Sequence, residues 1–228
     1  MKNYFISDYG SLSGYTYEYT ADDDVITGLV ESAGWTMGDD GIYHKGSKSL
    51  KYTFTIAGDT SDHPAWQMFK EAADQLNNIG FDITVNTDSR ALIKLATGKL
   101  EVWAAAWSTG IDPDMYQLYH KDSKAANTKN WGYDTIQNNQ SLFDEENYIL
   151  GQISENIDIA RSNTNEEFRT RYYVEALNWL MELAVELPTY QRHDLAVYNK
   201  DIINPNSVNQ NPTAMAGLLF KIWELDYN

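Results

Sequence analysis

Leu50-Lys51-Tyr52-Thr53-Phe54-Thr55-Ile56-Ala57, followed by the run Pro64 to Gly80 (PAWQMFKEAADQLNNIG) and by Phe81-Asp82-Ile83-Thr84-Val85, is the stretch that decides the fold. Its first part alternates and is rich in β-branched and aromatic residues, which suit a pleated, half-buried surface. Asp62 and His63 then precede Pro64, and proline is favoured at the first helical position, where its missing N–H would have had no partner. Ala65, Met68, Phe69, Ala72, Ala73, Leu76 and Ile79 recur with helical spacing and form one apolar face. Gly80 supplies a left-handed stop, and Phe81 to Val85 reads as a second strand. Asp88 or Ser89 can cap a further helix carrying Leu92, Ile93, Leu95 and Ala96 and ending at Gly98. Leu100 to Trp107 (LEVWAAAW) reads as a buried third strand. Alternating strands and helices with short connections imply right-handed crossovers and parallel strands, so the predicted class is α/β, a mostly parallel sheet flanked by helices. Ligands of such sheets bind outside the carboxyl ends of the strands, which puts Ser108 to Asp114 (STGIDPD) at a site-forming edge.

On the N-terminal side, residues 1–20 are rich in Tyr, Gly and Ser without a sustained period and read as an irregular entry segment. Asp22-Asp23-Asp24 precede an apolar face of Val25, Ile26, Leu29, Val30 and Ala33, a short amphipathic helix with its acids at the positive end of the dipole and Gly34 as its stop. Met37 to Ser49 reads as a hairpin around Ile42 to Lys45. On the C-terminal side, Met115 to His120 looks helical, and the polar, Asn-rich residues from Lys121 to Gln140 read as a long loop broken by Trp131-Gly132. Leu142 to Ala160 places Tyr148, Ile149, Ile153, Ile157 and Ala160 on one helical face. Thr164-Asn165-Glu166-Glu167 fits a capping box opening a helix to about Glu186, ended by Leu187-Pro188. Thr189 to Tyr198 reads as a strand, Asn204 to Pro212 as loop, and Met215 to Leu225 as a last apolar segment, with no repeat and no clear internal boundary.

Composition narrows the chemistry. With 33 acidic and 17 basic residues among 228, the net charge of −16 repels phosphate backbones, which argues against a nucleic-acid partner. The absence of cysteine excludes disulfides, thiolate catalysis and zinc–thiolate sites within this chain. No apolar run approaches the roughly 20 residues of a membrane helix, and the first residues lack the apolar core of a signal peptide. His44, His63, His120 and His193 show no paired metal-ligand spacing, and neither a Gly-x-Ser-x-Gly elbow nor a phosphate-binding Gly-rich loop is present. Asp112 and Asp114 suit acid and base work, an amine anchor or a cation; alternatively Asp114 simply caps the helix that follows. Trp103, Trp107 and Trp131 line a pocket or pack against helices, and Arg192, with Tyr190 and His193 nearby, faces a ligand carboxylate or solvent.

Several of these segments together resemble the extracellular solute-binding proteins of ABC importers, in the dipeptide and oligopeptide-binding family (family 5). The resemblance runs through Leu29 to Trp35 (LVESAGW), Asp39 to Lys45 (DDGIYHK), Leu76 to Ile83 (LNNIGFDI) and Leu95 to Val102 (LATGKLEV). It continues through Ala106 to Asp114 (AWSTGIDPD) and Pro188 to Arg192 (PTYQR), in order along nearly the whole chain. It implies a periplasmic-binding-protein-like type II lobe, with residues 1–228 as a single ligand-binding lobe, the second (C-terminal) of two, and the N-terminal lobe missing from this chain. It implies a non-enzymatic receptor with no cofactor that captures a small peptide outside the membrane and delivers it to the transmembrane permease subunits. The full protein would be periplasmic or a cell-surface lipoprotein, its signal lying upstream. By the same resemblance Ala106, Trp107 and Ser108 offer backbone contacts to the peptide, and Tyr190 and Arg192 belong to the late aromatic strand at the ligand. Gly110 stands where well-known members carry the aspartate that holds the peptide amino terminus, so Asp112 is the nearest substitute. Ala104 and Leu95 stand where some members carry arginines for the peptide carboxylate. Relatives bind oligosaccharides, nickel complexes or haem, and these remain open as ligands. A glycoside hydrolase using Asp112 and Asp114 is the enzymatic rival.

Overall fold

The computed structural model describes residues 21–58, 63–104, 112–125, 131–187, 189, 197–209, 216–217 and 220–228. The entry segment at 1–20 and most of the expected strand at 189–198 lie outside the described residues. The chain divides into two compact units, residues 1–106 with 114–188 and residues 107–113 with 189–228, a division that no linker-like composition marks.

In the larger unit, α1 (Asp23–Ser32) begins where expected: the Asp22 carboxylate accepts the N–H groups of Asp24 and Val25 at 3.0 and 3.2 Å. The expected single hairpin is a three-stranded antiparallel sheet, β1 (Thr36–Met37), β2 (Tyr43–Lys45) and β3 (Lys48–Ser49), in the order β1-β2-β3. The second turn is made at Gly46, whose φ of +61° suits glycine.

The α/β core follows as β4 (Lys51–Ala57), α2 (Pro64–Asn78), β5 (Asp82–Asp88), α3 (Ala91–Ala96) and β6 (Val102–Ala104). β4 pairs in parallel with β5 from Lys51↔Asp82 to Ala57↔Asp88, and with β6 from Phe54↔Val102 to Ile56↔Ala104. The order is therefore β5-β4-β6, with the first strand of the core in the middle and the connection from β5 to β6 crossing it. Phe54, Ile56 and Ile83 pack on Ala65, Phe69 and Ala73 of α2, and the Phe54 and Phe69 rings meet at 5.1 Å. Successive strand residues face opposite ways. Accordingly, Val102 and Ala104 join this core, while Trp103 between them packs against a second core, made of helices. At the α2–β5 turn Gly80 has φ +105°, and a Cβ there would meet Met37 and Tyr43 at 2.6 and 2.8 Å; its carbonyl accepts the Tyr43 N–H at 2.8 Å. Only glycine lets the small sheet approach this turn so closely.

The helical layer comprises α4 (Tyr116–Tyr119), α5 (Tyr133–Asn138), α6 (Asp144–Arg161) and α7 (Glu166–Leu183). Leu150, Ile153, Ile157 and Ala160 of α6 are buried with Tyr173, Ala176 and Leu180 of α7. Four expectations need correction. The Asn-rich stretch is not all loop, because Trp131 and Tyr133 are buried, the Trp131 ring stacks on Tyr119 at 5.0 Å, and α5 forms on these anchors. Tyr148 is exposed, and Leu150 and Ser154 take its place on the buried face. The cap of α7 is Asn165, whose side chain accepts the Phe168 N–H at 2.8 Å, so the Thr164–Glu167 box does not form. Finally, α7 stops at Leu183, where Ala184 adopts φ +56° ahead of Leu187.

In the smaller unit, turns of 3-10 helix at Pro205–Ser207 and Ile222–Glu224 flank an Ile203↔Tyr227 bridge. Asn204 N–H donates to Asp226 O and Asn228 N–H to Ile202 O, each at 2.9 Å.

Candidate functional site

The three parallel strands finish close to one another, at Ala57, Asp88 and Ala104. A crossover helix runs back against its strands, so the N-terminus of α2 rises to this carboxyl edge. There His63 Nδ1 accepts the Ala65 N–H at 3.1 Å, fulfilling the expected helix start with the imidazole as the cap.

Asp88 ends β5 and is held from two sides: its carboxylate accepts the Arg90 N–H at 2.8 Å and pairs with Lys94 of α3. Lys94, then the Arg90 amide, hold the Asp88 carboxyl below the usual carboxylate range. The expected capping role of Asp88 thus takes the form of a turn just ahead of α3, whose N-cap is Arg90.

Beyond β6 the expected ligand segment continues to Asp112 and Asp114. Ala106, Trp107, Ser108 and Gly110 lie outside the described residues, as do Tyr190, Arg192 and His193. Asp112 is described and exposed. Asp114 does not cap α4, whose N-cap is Met115, but closes a turn just ahead of it: one oxygen accepts the Tyr116 N–H at 3.0 Å, and the other pairs with Arg161 Nε at 3.1 Å. Asp114 is thus held by Arg161 of α6 as well as by its own turn. No local signal could have revealed Arg161, which lies on α6, far along the chain.

Of the tryptophans proposed for a pocket, Trp103 packs against the helical core and Trp131 is buried on Tyr119, which is the packing alternative. His44 contacts Asp40 at 2.9 Å on the surface, and His120 is buried against α6. Among the described residues no group of three His, Cys, Asp or Glu side chains is placed to hold a metal ion, and no helix is long and apolar enough to cross a membrane.

This parallel sheet flanked by helices is a periplasmic-binding-protein-like fold, and the solved structures it matches include two oligopeptide-binding proteins and a nickel ABC transporter. NikA from Brucella suis, in complex with Fe(III)-EDTA, matches with a TM-score of 0.59 at 20% identity, over 81% of this chain and 35% of its own. The oligopeptide-binding protein of Thermus thermophilus, complexed with a pentapeptide, matches with a TM-score of 0.57 at 18% identity, over 79% and 31%. AppA, the oligopeptide-binding protein of Bacillus subtilis, in complex with a nonapeptide, matches with a TM-score of 0.56 at 16% identity, over 75% and 32%. At these identities the likeness is one of fold. The matched region is about a third of the length of each of these proteins. No family model matches the sequence, and no curated protein matches it significantly.

Proposed function

We infer that this chain is a ligand-binding lobe of the substrate-binding component of an ABC transporter, a non-enzymatic receptor that captures oligopeptides or dipeptides outside the membrane for a permease. The observation that carries this reading is the shared fold with binding proteins seen in complex with a nonapeptide and a pentapeptide. The carboxyl edge of the sheet leads into the segment containing Ala106, Trp107, Ser108 and Gly110, whose backbone groups supply sequence-tolerant pairing to an extended peptide. Asp112 anchors the peptide ammonium, and Tyr190 and Arg192 complete the contacts. A first lobe supplies the rest of the contacts by hinge closure. A second reading, a metal chelate as ligand, is favoured by the complex of NikA with Fe(III)-EDTA.

The test is isothermal titration of pooled peptides of about two to six residues into the protein carrying both lobes. Tight binding that weakens in Asp112→Ala supports the peptide reading and the amine anchor. No heat with any peptide pool, but heat with nickel–histidine or Fe(III)-EDTA, replaces it with the chelate reading.

A further inference from the structure

The first turn of α3 stands at the carboxyl edge of the sheet with one side uncovered. Asp88, the last residue of β5, is in register with Ala57, the last of β4, and α3 starts at Ala91. Ala91 is buried and seats the helix, whereas Leu92 and Ile93 are 69% and 67% exposed and Arg90 is exposed as well. At about 100° per residue, Leu92, Ile93 and Arg90 follow one another around the side of the helix away from Ala91. Single exposed leucines are ordinary on a protein surface. Here two aliphatic side chains adjoin an arginine at the edge where sheets of this kind receive ligands.

The charges at this edge are unusual for the chain. From Ile83 to Gly98 the only charged residues are Asp88, Arg90 and Lys94, a net +1 within a protein of net charge −16. The Asp88 carboxylate is 12% exposed and already engaged, by Lys94 Nζ and by the Arg90 backbone N–H at 2.8 Å. Lys94 is the chief cause that holds the Asp88 carboxyl below the usual range, and the charge of Arg90 is the least. Lys94 therefore neutralises the one anion of the segment, and the Arg90 guanidinium makes no hydrogen bond or ion pair among the described residues.

A guanidinium presents a planar fork of donors that matches a carboxylate. An anion meets repulsion over most of so acidic a surface, and this edge is where that repulsion is locally reversed. The aliphatic pair beside the guanidinium suits an apolar group attached next to the carboxylate, since covering it removes apolar area from water on both sides.

We propose that Arg90, Ile93 and Leu92 form a subsite for the carboxyl end of the ligand: the guanidinium takes a free carboxylate, and the two aliphatic side chains cover the apolar side chain of the last residue. The recognising groups are side chains, and the amides of this short helix take no part. The proposal rests on the reading of the chain as a peptide-binding lobe and selects within it, favouring peptides with a free carboxyl end and an apolar last residue over amidated or polar-ended ones.

Isothermal titration into the protein carrying both lobes tests this with three pools of peptides of about two to six residues: one ending in leucine, the same pool amidated at its carboxyl end, and one ending in serine. In the wild type, amidation is expected to weaken binding about tenfold, the effect of one charge-assisted contact at an exposed edge, and a terminal serine about fivefold. Arg90→Gln keeps the backbone N–H that Asp88 accepts, so the turn persists, and its affinities for the free and amidated pools should agree within about twofold. Leu92→Ser combined with Ile93→Ser should abolish the preference for leucine and leave the effect of amidation. All three residues are exposed, so these variants should fold, which circular dichroism checks. The proposal is overturned if the wild type binds free and amidated pools equally, if it binds leucine-ended and serine-ended pools equally, if Arg90→Gln retains the tenfold difference, or if Arg192→Gln removes that difference instead. Each of those results leaves peptide binding in place. Absence of heat with every pool overturns this proposal together with the peptide reading, so the two failures are told apart.

Discussion

Removing one oxygen from Tyr133 should make the protein more stable. The residue is 1% exposed in the helical core, its ring 5.9 Å from that of Trp131, and its hydroxyl has no hydrogen-bond partner among the described residues. A hydroxyl buried without a partner costs about 1–3 kcal/mol, and Tyr133→Phe keeps the ring and its packing while removing that cost. The expected gain is about 1 kcal/mol, the lower part of that range, since some local relaxation is already built into the wild type. Tyr119 provides the control, because its hydroxyl donates to Glu186 at 2.8 Å. The same change, Tyr119→Phe, removes a bond to a carboxylate and should cost about 1 kcal/mol or more. Urea unfolding followed by circular dichroism should therefore move the two midpoints in opposite directions. A pH arm sharpens the test: burial, then the nearby Glu186, pushes the Tyr133 phenol above its ordinary value. The folded state then holds this proton more tightly than the unfolded chain does. Its contribution is intact below the ordinary phenol value of about 10 and is lost as pH rises beyond it. Wild-type stability should thus fall more steeply than that of Tyr133→Phe above that pH. A Tyr133→Phe midpoint lowered as much as that of Tyr119→Phe would refute the reasoning, since it would mean the hydroxyl is bonded.

Three further outcomes follow from the packing and the charges. Ile153, fully buried between α6 and α7, should lose about 3–4 kcal/mol on truncation to alanine, measured by the same unfolding curves, and a loss below about 1 kcal/mol would contradict its place in the core. Gly80→Ala adds a Cβ that meets Met37 and Tyr43 at under 3.0 Å at φ +105°; thermal unfolding should show a loss above about 2 kcal/mol, and a neutral result would contradict the close approach. Lys94 and the Arg90 amide lower the Asp88 pKa, so this carboxylate stabilises the fold above the ordinary aspartate value of about 4 and loses that effect as pH falls through its folded value. Asp88→Asn should flatten the acid limb of the stability profile, and an unchanged limb would show that the pair with Lys94 contributes nothing.

Much of the α/β core is legible in the sequence because its signals are local. Pro64 and Gly80 bracket α2 with backbone constraints that act within a residue or two, and the alternation of Leu50 to Ala57 is a property of the strand alone. The order of strands is not local. Nothing in the residues of β4 says that it lies between β5 and β6; that follows from where two crossovers return the chain and from which strand must be most buried. The candidate site divides in the same way. The loop holding Asp112 and Asp114 is recognisable from its position after a strand, whereas the engagement of Asp114 by Arg161 depends on α6 packing beside α4.

By itself, then, the sequence determined the succession of elements, the periods of their buried faces and the acidic, cysteine-free character of the chain, because backbone propensity and amphipathic spacing act over a few residues. Only the tertiary structure decided that Trp131 and Tyr133 would seed a helix in an Asn-rich stretch and that His120 would be buried against Asp158 of α6. Each of those outcomes depends on a side chain finding its partner across the fold, where burial raises the cost of an unmade contact above any local preference.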